Sequence, residues 1–316
     1  MISVVICTYN RAELLRGALK SVCSQTLDKS LYEIIVVDNN STDNTRSVVD
    51  DFAHYGNVRY VVEKSQGLSY ARNNGWRVAQ GEYVAYFDDE CTIPENWLMT
   101  AKQIIDHGSP AVFGGPIFPS YNTKKPRWFK DSYTSIDLGN EPKELHQETV
   151  CGGNLCIRRS ILQMFHGFNP TLGMKGNKLG FCEEVALQLS IRAKIPDNKI
   201  YYDPRLYVYH LVRADKMCIR SIMRQRFAQG ADSYRTFDRD PVAPISMNRL
   251  CKRVIQILLS FTFDLLLAFC KRDRENYPYV QNYLYEHSSE HLAALGRLRE
   301  QYRRAMHHSH VESMSR

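Results

Sequence analysis

The sequence predicts an α/β fold in which a mostly parallel central sheet is flanked by helices and followed by a helical C-terminal extension. Runs rich in β-branched and aromatic residues alternate with helical patterns in the N-terminal part of the chain. The 316 residues are 44% hydrophobic, which supports a large core. The composition becomes basic further on, so we expect residues 1–215 to form one domain and residues 216–316 a basic helical extension.

The first four strands and their helices can be placed in order. We predict strands over residues 2–7, 32–37, 58–62 and 83–87, with helices between them. Asn10 and Glu13 resemble a capping box for the first helix, and the turn around Asp43 is expected to cap the second. Strand–helix alternation implies parallel strands, whose carboxyl ends share one edge where ligands bind.

The elements after residue 93 are shorter. Helices are predicted over residues 94–107, 159–165 and from Glu183 onward, and strands over 199–202 and 206–209, the last ending at His210. A helical segment then runs to residue 229, and prolines mark a linker at residues 240–244.

Polar turns follow three of the predicted strands. The first strand leads into Thr8-Tyr9-Asn10-Arg11, the second into Asp38-Asn39-Asn40, and the fourth into Asp88-Asp89-Glu90. Carboxylates massed at the end of a buried strand are costly unless a positive group, such as a divalent cation, lies beside them. Asp88 and Glu90 therefore predict a Mg²⁺ or Mn²⁺ site, and the alternative is a solvated acidic turn.

Missing motifs and the cysteine pattern exclude several classes of protein. The chain has neither G-x-G-x-x-G after the first strand nor G-x-x-x-x-G-K-[ST], which excludes the common dinucleotide and P-loop sites. Nine scattered cysteines without a C-x-x-C pair favour reduced, cytoplasmic thiols over disulfides or a structural zinc site. The N-terminus lacks a basic region and a cleavage site, so no signal peptide is expected.

A basic segment and an apolar segment lie in the C-terminal part. Residues 205–253 contain eleven Lys/Arg and four Asp, which indicates an anionic partner or a solvated face. Residues 254–270 are apolar but carry Gln256, Ser260 and Asp264 as one stripe. This favours a helix over about 249–272 that lies in a membrane interface; packing on the domain or dimerisation stays open. A polar helix from residue 277 and then a flexible tail are expected after it.

In this order, the motifs resemble those of the family 2 glycosyltransferases with the GT-A fold, which is a Rossmann-like α/β fold. The resemblance covers about residues 1–230. The residues that carry it are Val5 to Arg11, Val36 to Asp43, Gly67 to Gly75, Phe87 to Glu90, Gly152 to Asn154, Gly180 to Glu184 and Val208 to His210.

The resemblance implies a role for each matching residue. Thr8, Tyr9 and Asp38 would line the nucleobase and ribose pocket, and Asp88, Glu90 and His210 would hold Mn²⁺ or Mg²⁺. Glu184 or Glu183 would be the catalytic base, since a glutamate stands at both positions of the family's Glu-Asp pair. The remaining residues expected to bind substrate are Asn10, Arg11, Asn40, Gly67, Arg72, Asn73, Asp89, Gly153 and Asn154.

The function that this implies is the inverting transfer of one sugar from a UDP-, GDP- or TDP-sugar to a hydroxyl of a glycan or lipid-linked acceptor. The Q-x-x-R-W motif of processive synthases is absent, which favours single transfers. The expected place is the cytosolic face of a membrane, in polysaccharide biosynthesis, with the oligomeric state left open.

The sequence leaves two other functions open. One is an inactive sugar- or lipid-binding module of the same fold. The other is a sugar-nucleotidyltransferase, although this chain lacks the Gly-rich, Lys-containing loop that such an enzyme has after its first strand. No nucleic-acid partner is expected.

Overall fold

The computed structural model describes residues 1–237, 247–270, 275 and 277–314, with side chains through residue 306. The chain divides into two compact units. The first comprises residues 1–122, 131–178 and 183–212, and the second comprises residues 123–130, 179–182 and 213–316. The predicted linker at 240–244 lies outside the described residues.

The first unit contains the strands β1 (Ile2–Thr8), β2 (Tyr32–Asp38), β3 (Val58–Val62), β4 (Tyr83–Asp88), β5 (Cys91–Thr92), β6 (Val112–Gly114), β7 (Ile117–Ser120), β8 (Lys143–Glu144), β9 (Asn154–Arg158), β10 (Ile200–Tyr202) and β11 (Val208–Leu211). Its helices are α1 (Ala12–Cys23), α2 (Thr45–Asp50), α3 (Leu68–Val78), α4 (Trp97–Gly108), α5 (Arg159–Met164) and α6 (Glu183–Lys194). The predicted mostly parallel sheet with flanking helices is confirmed.

The central sheet has the strand order β3-β2-β1-β4-β9-β6-β10-β8. Strands β1 to β4 are parallel, and β9 runs antiparallel between β4 and β6. As a result, Thr8 pairs with Asp38, Cys7 pairs with Asp88, and Phe87 pairs with Asn154. The polar ends of β1, β2 and β4 and the start of β9 therefore lie at one edge of the sheet.

Both faces of the sheet are covered, which explains why β1 is apolar at nearly every position. Side chains of successive strand residues point to opposite faces. Val4 and Ile6 accordingly belong to the core that includes Leu15 of α1, whereas Val5 belongs to the core that includes Ala71 of α3.

A smaller sheet has the order β5-β11-β7 and places His210. His210 pairs with Cys91 across the antiparallel β5–β11 ladder, and the Leu211 N–H donates to the Glu90 carbonyl at 2.9 Å. The prediction that the strand ends at His210 was therefore wrong by one residue, because pairing with β7 extends it through Leu211.

The predicted capping box at Asn10 was also wrong. Asn10 has a φ of 52° and its Oδ1 accepts a hydrogen bond from the Thr42 N–H at 2.7 Å. The N–H of Ala12, the first residue of α1, donates instead to Asp43 Oδ2 at 3.0 Å. The two loops that follow β1 and β2 thus cap and fix each other.

The second unit is helical, with α7 (Ile219–Phe237), α8 (Met247–Cys270), α9 (Val280–Tyr283), a π-helical turn (Leu284–Ser288) and α10 (Ser289–Met314). Arg235 of α7 and Glu300 of α10 form an ion pair at 2.8 Å. By length and composition, α8 is the one helix among the described residues that is apolar enough to cross a membrane. The backbone of residues 307–314, where a flexible tail was expected, is helical.

We predict that Gly75→Ala destabilises the first unit, because α3 packs closely on β1 at this position. A Cβ at Gly75 would lie 2.5 Å from Val5 Cγ1, and Val5 is fully buried. Overpacking of this kind costs about 1–3 kcal/mol. Gly17→Ala in α1 is the matched control, because a Cβ there meets nothing within 4 Å. Thermal unfolding should show a lower midpoint for Gly75→Ala and an equal or higher one for Gly17→Ala; equal midpoints for both variants would contradict the packing argument.

Candidate active site

Each acid of the Asp88-Asp89-Glu90 turn lies near at least one basic side chain. Asp88 Oδ1 lies 3.6 Å from Arg72 Nη2, Asp89 Oδ1 accepts from Arg11 Nη1 at 2.9 Å, and Glu90 Oε1 lies 3.2 Å from His210 Nε2. The positive groups expected beside these acids thus include two arginines and a histidine of the protein itself. The acids differ in exposure, and that difference separates their possible roles.

Asp89 is a buried structural acid. Besides Arg11, the Thr8 hydroxyl donates to Asp89 Oδ2 at 2.8 Å. Burial raises the pKa of Asp89 to about 6, although Arg11 and Thr8 oppose the shift. Thr8 and Asp89 were both predicted to bind substrate. The Thr8 hydroxyl and the Asp89 carboxylate bond to each other, and both residues are almost inaccessible to solvent. Their pairing joins the end of β1 to the turn after β4.

Asp88 is the accessible acid of the turn, with 34% of its side chain exposed. The backbone just before β9 lies close to Asp88, since a Cβ added at Gly153 would be 2.6 Å from Asp88 Oδ2. Only glycine leaves room for the carboxylate in this arrangement. Gly153, predicted to bind substrate, therefore sets the space around Asp88.

Arg72 is buried at the centre of the site. Its Nη1 donates to Glu183 Oε1 at 2.6 Å, its Nη2 donates to the Gly152 carbonyl at 3.0 Å, and the same Nη2 faces Asp88. Burial would lower the pKa of Arg72, but the carboxylates of Glu183 and Asp88 more than offset this and raise it. Arg72 was expected to bind substrate; these partners hold its side chain inside the protein, and a contact with substrate stays a prediction.

The two adjacent glutamates occupy different environments at the start of α6. Glu183 is 5% exposed, and burial together with the charge of Glu184 raises its pKa to about 7 against the effect of Arg72. Glu184 is half-buried, and its Oε1 lies 3.4 Å from the Gly152 N–H. The arrangement leaves Glu184 as the more accessible carboxylate.

A set of possible cation ligands lies beside this network. In the part of the chain that is described, Asp88, Cys91 and His210 bring one donor atom each to within 4.8 Å of one another. Asp88 Oδ2 and His210 Nε2 are 4.0 Å apart. A carboxylate and an imidazole fit Mn²⁺, and Glu90 contacts the same His210 nitrogen. The predicted ligands are thus close together, with Cys91 as an additional member; burial raises the pKa of its thiol well above the usual value.

The residues predicted for the nucleobase and ribose lie at the ends of β1 and β2. Asp38 is buried, accepts from the Ser41 N–H at 2.8 Å and also accepts from the Tyr60 hydroxyl. Tyr9 is half-buried. The exposed residues Asn10 and Asn40 both have positive φ, so they shape the two loops.

Two predicted binding residues instead fasten loops. Asn73 is buried and exchanges hydrogen bonds with the backbone of Phe168, at 2.7 and 2.8 Å. Asn154 is buried and donates to the carbonyls of Pro116 and Leu206, at 3.1 and 2.6 Å. Backbone contacts thus hold both side chains inside the protein, and their contribution to substrate binding stays a prediction.

Sequence reasoning missed Asn39, Tyr60 and Cys91. Asn39 Oδ1 accepts from the N–H of Gly67 at 2.7 Å, which connects the loop after β2 to the start of α3. Asn39 and Asn40 both follow β2, and the sequence predicted Asn40 as the binding residue. The two differ in burial, which the sequence does not reveal: Asn39 is buried and Asn40 is exposed. Cys91 directly follows the acidic turn, which was the available signal.

The chain is similar to several known proteins in sequence and in fold. The chain is 26% identical over 297 residues to the glucosyl-dolichyl phosphate glucuronosyltransferase of Haloferax volcanii, covering 85% of this chain and 94% of that protein. The fold is similar to that of the mannosyltransferase PcManGT from Pyrobaculum calidifontis, solved with GDP-Man and Mn²⁺. In that comparison the TM-score is 0.57 and the identity 18%, over 93% of this chain and 73% of the other.

A second solved structure with this fold is S. aureus TarS 1–349 in complex with UDP, with a TM-score of 0.55 and 16% identity over 98% of this chain and 91% of the other. The family profile "Glycosyl transferase family 2" matches residues 3–165, just over half of the chain. The predicted GT-A fold is confirmed, and the chain belongs to glycosyl transferase family 2.

Proposed function

We propose that this protein is an inverting, metal-dependent hexosyltransferase that moves one sugar from a nucleotide-diphosphate sugar to a hydroxyl of a lipid-linked or glycan acceptor. The observation that carries the proposal is the buried Arg72, which contacts both Asp88 and Glu183. It ties the acid suited to the donor diphosphate to the acid pair suited to the acceptor. Both acids are thereby held close to one guanidinium, which suits a site that acts on the donor and the acceptor together.

Glu184 is the proposed base. Glu183 is engaged with Arg72 at 2.6 Å and is buried, so its carboxylate positions the guanidinium. Glu184 is the carboxylate open to an incoming hydroxyl. It takes the proton of the acceptor hydroxyl while the oxygen forms a bond to the anomeric carbon of the donor. The bond from that carbon to the diphosphate oxygen breaks on the opposite side, so the configuration inverts and the electron pair leaves with the nucleoside diphosphate.

The donor side of the proposal uses Asp38 and Tyr9 for the nucleoside and Asp88, Glu90 and His210 for the diphosphate. Asp38 offers a carboxylate already oriented by Ser41 and Tyr60. Asp88 and His210 lie side by side at the partly exposed end of the site. When bound, Mn²⁺ or Mg²⁺ offsets the negative charge that gathers on the leaving diphosphate. The structures of PcManGT with GDP-Man and Mn²⁺ and of TarS with UDP support this assignment.

The acceptor side is proposed to be lipid-linked, in polysaccharide or glycan biosynthesis on the cytosolic face of a membrane. The name of the Haloferax relative includes glucosyl-dolichyl phosphate, a lipid-linked sugar. In this chain, α8 presents one exposed apolar face, formed by Ile255, Leu258, Leu259, Phe263, Leu266 and Phe269.

The opposite side of α8 faces its own unit, where Asp264 meets His291 at 2.9 Å. Lys252 and Arg253 are exposed near the start of the helix, where they suit anionic headgroups. We propose that the apolar face lies in the membrane interface.

Glu184→Gln should lower kcat by about 10²- to 10⁴-fold, which is the usual contribution of a general base. Donor binding and the unfolding midpoint should stay unchanged, because the amide is isosteric and Glu184 is half-buried. Glu183→Gln is the matched control, and it should lower the unfolding midpoint because it removes the charge that faces Arg72. Steady-state kinetics and thermal unfolding, measured on both variants, distinguish loss of the base from loss of stability. Full turnover in Glu184→Gln would refute the assignment of the base.

Asp88→Asn should abolish the stabilisation of the protein by nucleotide and Mn²⁺ together. A ligand present at about 100 times its Kd contributes ~2.7 kcal/mol, which a thermal-shift assay detects easily. The assay compares UDP, GDP and TDP with Mn²⁺ or Mg²⁺. Asp106→Asn, an exposed acid paired with Lys102 in α4, is the control and should respond like the wild type. If no nucleotide shifts the wild type with either cation, the donor site is wrongly assigned.

The double variant Leu259→Glu/Leu266→Glu should lose binding to vesicles of phosphatidylcholine and phosphatidylglycerol. Each leucine contributes about 1.5–3 kcal/mol when fully buried, so vesicle partitioning should fall more than tenfold. Met164→Glu changes an exposed apolar residue of the first unit and should leave flotation unchanged. Wild-type protein that fails to float, or a variant that changes only the oligomeric state in gel filtration, would contradict the membrane assignment.

A further inference from the structure

Cys91 lies in the cation site although the proposed sugar transfer has no use for a thiol. The β5–β11 register sets Cys91 directly opposite His210, so both side chains project from the same face of the small sheet. Asp88 stands three positions earlier in the chain. The Sγ of Cys91, a nitrogen of His210 and an oxygen of Asp88 all lie within 4.8 Å of one another.

This combination of donors is suited to a softer cation than Mg²⁺ or Mn²⁺. Thiolate, imidazole and carboxylate are the ligands of Zn²⁺, whereas Mg²⁺ and Mn²⁺ favour oxygen. Zinc binds sulfur at about 2.3 Å and nitrogen at about 2.0–2.1 Å in a tetrahedron, which places its ligand atoms roughly 3.5 Å apart. The 4.0 Å between Asp88 Oδ2 and His210 Nε2 is close to that separation. To bind zinc, the three donor atoms would draw closer together, and His210 Nε2 would exchange its contact with Glu90 Oε1 at 3.2 Å for the metal.

The thiol is the most buried of the three donors. Cys91 is 1% exposed, whereas 34% of the Asp88 side chain and 28% of the His210 side chain are exposed. A hydrated ion can meet Asp88 and His210 first and then engage the sulfur behind them. Cys218, Cys251 and Cys270 are exposed but are not part of this cluster.

We propose that Cys91 makes this site an inhibitory zinc site, in which Zn²⁺ is held by Asp88, Cys91 and His210 in place of the activating cation. The bond from zinc to Sγ forms as the thiol proton passes to solvent, and no oxidant or reductant takes part. Zinc bound in this way occupies the carboxylate and the imidazole that would otherwise support the donor diphosphate, so sugar transfer stops. The inference rests on the proposed function, because it concerns regulation of the same cation site.

The test is a titration of the intact protein with Co²⁺, a spectroscopic substitute for zinc. Wild type should develop the intense near-ultraviolet absorption of a cobalt–thiolate bond, and Zn²⁺ should displace it. Cys91→Ser should lack this band and bind Zn²⁺ more weakly by more than about 100-fold, since even the loss of an outer-sphere partner costs 10- to 100-fold. Cys218→Ser, an exposed thiol, and Cys151→Ser, a thiol outside the cluster, should keep the band. Micromolar Zn²⁺ should inhibit transfer by the wild type, and a chelator should restore it.

Two outcomes overturn the proposal. One is a wild type that binds Co²⁺ without the near-ultraviolet band, and the other is a Cys91→Ser variant that keeps both the band and the zinc affinity. If Mn²⁺-supported nucleotide binding persists in either case, only the zinc site is refuted. If neither nucleotide with Mn²⁺ nor Co²⁺ alone binds, the proposed function fails together with it.

Discussion

The arrangement of the site depends on one buried guanidinium. Arg72 of α3 contacts Glu183 at the start of α6, the carbonyl of Gly152 just before β9, and Asp88 at the end of β4. An arginine cannot lose its proton in a protein, so a buried Arg72 requires a carboxylate nearby. Removing one partner of such a buried pair typically costs about 3–5 kcal/mol. The same pairing that keeps the fold intact therefore keeps the two halves of the site at a fixed separation.

The acids around Arg72 still outnumber the fixed positive charges. Asp88, Asp89, Glu90, Glu183 and Glu184 are five carboxyl groups, and Arg11 and Arg72 are two guanidinium groups, which leaves an excess of three carboxyl groups. Burial reduces part of this excess by raising the pKa of Asp89 to about 6 and that of Glu183 to about 7. Asp88 and Glu184 are the more accessible acids of this group, and they are the ones to which the proposed function gives the cation and the acceptor hydroxyl. A sequence count of acids could not make that distinction, because burial decides it.

The strands and the edge where their polar ends meet could be predicted from the sequence, because buried parallel strands are apolar at nearly every position and end in turns. The hydrogen-bond partners could not. Thr8 and Asp89 are 81 residues apart, and Arg72 and Glu183 are 111 residues apart, so no local pattern reveals the pairs. The cap of α1 was predicted wrongly for the same reason, since the capping residue Asp43 lies in the loop after β2. Residue types showed which chemistry is present, and only the tertiary fold shows which groups are already used by the protein itself.

Glu90, the third acid of the turn, connects two parts of the site. Glu90 is one methylene longer than an aspartate, and its Oε1 reaches His210 Nε2 at 3.2 Å while its Oε2 stays 3.8 Å from Arg11. The carboxylate thereby links the network around Asp89 to the small sheet that carries His210. Because β5 begins directly after Glu90, the same register brings Cys91 opposite His210. An acid that contacts the histidine and a thiol that faces it are thus consequences of one strand pairing, which sets a soft donor beside the proposed cation ligands.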